Sequence, residues 1–83
     1  MSTHEIQGLV FQKGQFTFSD GKQNEGMIIS RYNIPMGRIE YYLIPSGNML
    51  AYQAARSHHD MDAHKKLGIP VEIGNIMQAK MIN

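Results

Sequence analysis

Gln15-Phe16-Thr17-Phe18-Ser19 alternates polar and apolar residues with a period of two, the spacing of a strand that turns one face to a core. The pattern directs Phe16 and Phe18 inward. Upstream, Ile6, Leu9, Val10 and Phe11 form an apolar group that reads as a first strand, with Gly14 as the break between the two. Ser19-Asp20-Gly21-Lys22 then supplies Asp-Gly between strand-like runs, where glycine accepts the positive φ of a tight hairpin turn. The returning strand runs from about Gln23 to Tyr32, and Gly26 within it predicts a bulge or sharp bend. Asn33-Ile34-Pro35-Met36-Gly37 ends that strand in a second turn, because Pro35 cannot donate to a ladder and biases Ile34 away from helix.

From Arg38 to Ile44, Ile39, Tyr41 and Leu43 share one face while Glu40, Tyr42 and Ile44 share the other. Glu40 is the one charged residue of these six, which predicts a central strand covered on both sides. Pro45-Ser46-Gly47-Asn48 closes the sheet and offers Ser46 or Asn48 as a helix N-cap. A single helix is expected over 49–67, with Leu50, Tyr52, Ala54, Met61 and Leu67 on its apolar side. Lys65-Lys66, Gly68 and Pro70 supply its stop signal. Val71 and Ile73 sit in a short extended piece. A last strand, 75–82, follows, in which Met77, Ala79 and Met81 alternate with Gln78 and Lys80. The expected fold is mainly β within the α+β class: a small bent antiparallel sheet or barrel with one helix inserted before the last strand.

The segment Phe18-Ser19-Asp20-Gly21-Lys22-Gln23-Asn24-Glu25-Gly26-Met27-Ile28-Ile29 resembles the strand, Asp-Gly turn and glycine-bent strand of small SH3-like and Sm-like barrels. It covers roughly a seventh of the chain, and the resemblance implies barrel geometry alone. In Sm-like proteins an Asp and an Asn after that glycine line an RNA pocket. Tyr32 and Met36 stand at those offsets in this chain, and the helix precedes the last strand instead of opening the chain, so the RNA pocket does not carry over.

The chain has 83 residues, enough for one domain, 1–83, whose polar residues 1–5 read as a loosely tied terminus. Charged residues make up 18%, below the ~25% usual for soluble domains, which leans towards self-association. Eight Lys and Arg against seven Asp and Glu, with no block of like charge, disfavour a generic polyanion binder. With no cysteine, disulfides, thiolate metal sites and cysteine nucleophiles are excluded. No apolar run is long enough for a membrane-spanning helix and none reads as a secretory signal, so cytoplasm is the default compartment.

His58-His59-Asp60-Met61-Asp62-Ala63-His64 concentrates the ionisable chemistry. On one helix His58 and Asp62 share a face, as do Asp60 and His64, so a divalent-metal site at His58, Asp62 and His64 is one reading. Each pair alone supplies two ligands, and a third has to come from His4, Glu72 or a second subunit. No nucleophile and base stand at catalytic spacing, so an enzyme is not expected, nor is a cofactor.

Tyr41 and Tyr42 with Arg31 and Arg38 compose an alternative, a stacking face for single-stranded nucleic acid flanked by phosphate contacts. Ile34, Pro35 and Met36 in the second turn, with Met61 on the thinly apolar helix, are the candidate protein interface. The leading expectation is a non-catalytic binding or assembly module whose partner is protein, itself included, as a homodimer or higher symmetric oligomer.

Overall fold

The computed structural model describes residue 5 and residues 7–82. The loose terminus expected over 1–5 and Ile6 of the expected first strand fall almost wholly outside these residues.

Five antiparallel strands form one sheet in the order β4-β3-β2-β1-β5: β1 (Lys13–Phe18), β2 (Gln23–Asn33), β3 (Arg38–Pro45), β4 (Ile69–Val71) and β5 (Ile76–Met81). A 3₁₀ turn, Ser46–Asn48, and two helices, α1 (Met49–Ser57) and α2 (Ala63–Leu67), intervene between β3 and β4. The fold is thus the mostly β, α+β arrangement expected. The edge strands β4 and β5 do not pair with each other, so the barrel is not closed.

The sheet separates two cores. Phe16, Ile28, Tyr41, Leu43 and Ile76 meet on one face, joined by Val71 of β4 and by Ala79 and Met81 of β5, so side chains from all five strands converge as the sheet curls. On the other face Ile29, Tyr42 and Ile44 pack against Met49, Tyr52 and Ala63 of the helices. Consecutive residues of β3 serve opposite cores, and Tyr41 to Ile44 are therefore all buried, as the shortage of charge in that run predicts.

Gly26 takes part in no break of register, since it pairs with Gly14 on one side and Pro45 on the other. A Cβ at Gly26 would overlap the Ile44 carbonyl, so glycine is needed there for the close approach of the β2 and β3 backbones. The bulge lies instead in β5. Thr17 pairs with Gln78 and Phe18 with Ile76, leaving Met77 as the extra residue. That insertion resets the alternation: Ile76, Ala79 and Met81 turn inward and Met77, expected to share their face, is exposed.

Three further expectations are corrected. Leu9, Val10 and Phe11 form a turn and not a strand; Phe11 has φ 64° and donates its N–H to the Ile28 carbonyl at 2.7 Å, while Leu9 and Val10 lie over the first core. Gly14 is inside β1 and does not interrupt it. Finally, the long helix is two. His59 takes φ 58°, its N–H bonds the Arg56 carbonyl, and the Asp60 N–H bonds the Ala55 carbonyl. These are the paired bonds of a left-handed helix terminator, with histidine at the position glycine usually holds.

The helical face is rearranged as a result. Met49, Tyr52, Ala63 and His64 are buried, whereas Leu50, Ala54 and Met61 are exposed. Neither Ser46 nor Asn48 caps α1 through its side chain; Asn48 Nδ2 donates to the Leu67 carbonyl at 2.9 Å and ties the two ends of the helical segment together. Among the described residues no helix is long and apolar enough to cross a membrane.

Candidate interaction surface

β2 and β3 extend beyond β4. The three residues of β4 pair only with Tyr41, Tyr42 and Leu43, so the outer edge of β3 from Arg38 to Glu40 has no strand beside it among the described residues. Between this edge and the Pro70–Gly74 segment lies an open cavity of about 470 Å³ lined by Ile39, Tyr41, Val71 and Ile73. The turn that joins β2 to β3 is fixed locally: Gly37 takes φ 65° and donates to the Asn33 carbonyl at 2.8 Å, and the Met36 N–H donates to Asn33 Oδ1 at 3.1 Å.

Large apolar side chains collect at this end of the hairpin. Ile34 is 80% exposed, Met36 61%, Tyr32 60% and Ile39 50%. Tyr32 stands directly across from Ile39 in the register, and both lie on the face that carries the first core. On the opposite face Arg38 approaches Glu40 at 3.7 Å, and Arg31 faces Glu40 across the strands. The exposed tip is therefore an apolar strip on one side and a pair of opposite charges on the other.

Ile34, Pro35 and Met36 are brought together as expected, whereas Met61 sits in the turn between the helices and borders another cavity. Tyr32 and Ile39 belong to the exposed strip and were not among the expected residues. Their signal was available in the period-two reading of β2 against β3, but it needed the register to reveal it.

The other two sets are not assembled. Tyr41 and Tyr42 are adjacent on β3 and so point to opposite faces, each in its own core and at most 9% exposed. They form no common platform for bases, and Arg31 and Arg38 flank no such platform. His58 and Asp62 are separated by the left-handed His59 and do not share a helical face. His64 is 4% exposed and packs edge-on to the Tyr42 ring, with ring centres 4.8 Å apart. Among the described residues no three His, Asp or Glu side chains are grouped to hold a metal ion.

Three ionisable groups are tuned by their surroundings. Burial, reinforced by Arg31 and Lys65, holds the His64 imidazole below the usual histidine range. Asp60 is lowered by the Asp62 N–H that bonds its Oδ1 and by Lys66, whose Nζ lies 3.0 Å from Oδ2. Burial pushes the Tyr42 phenol up, with the Glu40 carboxylate adding to the effect. No protein-family model, curated protein or solved structure matches this chain.

Proposed function

We propose that this chain is a non-catalytic assembly module that pairs with a second copy of itself along the Arg38–Glu40 edge of β3. The observation that carries the reading is the exposed strip of Tyr32, Ile34, Met36 and Ile39 beside the Arg38–Glu40 stretch of β3, which no described strand covers on its outer edge. An antiparallel pairing about a two-fold axis at Ile39 sets each Arg38 opposite the partner's Glu40 and each Ile39 against its own copy. The charges are then complementary and the apolar strips of both chains join into one row, Tyr32 and Ile39 from each side. The same operation aims each hairpin tip at the Val71 and Ile73 wall of the other chain.

Other open edges are guarded. Pro70 in the middle of β4 removes a donor, and β5 carries the Met77 bulge and an outward Lys80. The four side chains together expose about two and a half side chains' worth of apolar surface, and covering it contributes about 4 to 7 kcal/mol per chain. Two chains together gain about 8 to 14 kcal/mol. A micromolar dissociation constant, which needs ~8 kcal/mol, is reached when the association cost lies at the low end of its ~4 to 15 kcal/mol range.

An SH3-like kinship of the curled sheet, supported by the close approach at Gly26, and action in the cytoplasm belong to the same reading. The test is the double substitution Ile34→Ser with Met36→Ser, followed by sedimentation equilibrium. Both residues are exposed in the turn, so folding is retained, and the loss of their burial on both chains weakens the dimer by ~10³-fold. Unchanged association rules the proposal out.

A further inference from the structure

A second cavity, of about 270 Å³, opens where the turn between α1 and α2 meets β2 and the turn after Gly8. Its floor is apolar, with Ile29 and Tyr52, both buried. Arg31 from β2 and Arg56 from α1 line it, together with His59 and His64. Neither guanidinium has an acid partner among the described residues, where the ion pairs are Arg38 with Glu40 and Lys66 with Asp60. The Arg56 guanidinium lies 5.9 Å from the centre of the Tyr52 ring. Asp60, the acid of the cavity wall, is already engaged by the Lys66 ammonium and the Asp62 N–H.

The backbone singles out the same place. Phe11 and His59 are the two non-glycine residues with positive φ among the described residues, and both border this cavity. Such conformations cost about 1 to 3 kcal/mol each and gather at sites where the surrounding structure imposes them. Two unrelated turns, one before β1 and one between the helices, thus hold a residue at positive φ in the wall that carries two arginines with no acid partner among the described residues.

We propose that this cavity binds a phosphoryl group, free or carried by a small molecule. Each guanidinium offers five N–H donors in a planar fork, and imidazole adds more. A carboxylate has two oxygens and is saturated by one fork, whereas a phosphate presents enough oxygens to engage Arg31, Arg56 and His59 together. The volume suits a small anion or phosphomonoester and is below the ~300 to 1,000 Å³ of sites for larger ligands. The site lies on the helical side of β2, away from the pairing edge of β3, and does not depend on the dimer.

The experiment is a titration of the intact protein with inorganic phosphate, glycerol 2-phosphate and acetate, followed by the imidazole and arginine side-chain NMR signals. Phosphate or its ester shifts the signals of His59, His64, Arg31 and Arg56 saturably. A tighter ester identifies a small phosphorylated molecule as the source; tighter inorganic phosphate identifies the free ion. Arg31→Gln and Arg56→Gln, both at exposed side chains, each weaken binding ~10-fold or more, and Arg31→Lys, which keeps charge without the fork, weakens it less. Lys80→Gln leaves binding unchanged. Absence of saturable shifts at ~10 mM phosphate in the wild-type protein overturns the proposal. So do acetate binding as tight as phosphate and wild-type affinity in the two glutamine variants when these retain the native fold.

Discussion

Reversing one charge at a time on β3 and then both together isolates the two-fold pairing from every other mode of association. In the proposed dimer each Arg38 faces the partner's Glu40, and symmetry makes two such contacts. Arg38→Glu converts both into like-charge pairs, and Glu40→Arg does the same with opposite sign. An exposed ion pair contributes ~0.2 to 1 kcal/mol, and turning attraction into an equal repulsion changes each contact by about 0.4 to 2 kcal/mol. Two contacts give about 0.8 to 4 kcal/mol, or a ~4- to 1,000-fold weaker dimer at low salt. The combined variant, Arg38→Glu with Glu40→Arg, restores opposite charges across the axis. It also keeps the within-chain approach that is 3.7 Å in the native protein. Its dissociation constant returns to within ~threefold of wild type, a difference that falls inside the scatter of a surface pair. Sedimentation equilibrium of the four proteins at ~20 mM salt, where screening is weak, reads all of these values. Single reversals that leave association unchanged, or a combined variant as weak as the singles, refute a two-fold axis at Ile39.

The remaining expectations concern the helical side of the sheet. His59→Gly relieves a left-handed histidine at the end of α1, and the protein gains about 1 kcal/mol, read as a rise of roughly 4 to 8 °C in melting temperature; an unchanged or lower melting point contradicts the assignment of strain. The His64 pKa is lower in the folded chain than the ordinary 6.5, so the unfolded chain binds more protons below that pH. This contribution to stability is complete above pH ~6.5 and declines as pH falls from there towards the folded pKa. His64→Leu keeps an apolar side chain against Tyr42 and removes that part of the slope, which urea denaturation at pH ~7 and ~5.5 measures. An identical pH dependence in the variant contradicts the burial of His64 as its origin.

The strands were legible where local chemistry alone decides them. Asp20-Gly21 fixes one hairpin: Gly21 has φ 86°, and Lys22 donates its backbone N–H to Asp20 Oδ1. Pro35 and Gly37 fix the other turn, and the run from Tyr41 to Ile44 revealed its two covered faces by its lack of charge. Three features were hidden for physical reasons. Helix α1 ends at a histidine in the left-handed region, a conformation that residue type does not announce, so the apolar and polar positions beyond Ser57 were assigned to the wrong faces. The Met77 bulge shifts β5 by one residue, which reverses the facing of everything before it and is visible only against the register with β1. The open edge of β3 depends on β4 being three residues long, a tertiary outcome. Of the candidate residues, Ile34, Pro35 and Met36 lie exposed in one turn, as their sequence predicts, because a turn exposes what it carries. Tyr41 and Tyr42 were misjudged as one face although adjacent strand residues alternate.

The mass of the native protein in solution, followed by sedimentation equilibrium from ~1 to ~200 µM, tests the central claim most directly. A self-pairing module changes with concentration from the 9.4 kDa chain to twice that mass, with a midpoint in the micromolar range. A mass that stays at 9.4 kDa across the whole range contradicts it, and leaves the exposed strip of Tyr32, Ile34, Met36 and Ile39 without its second copy.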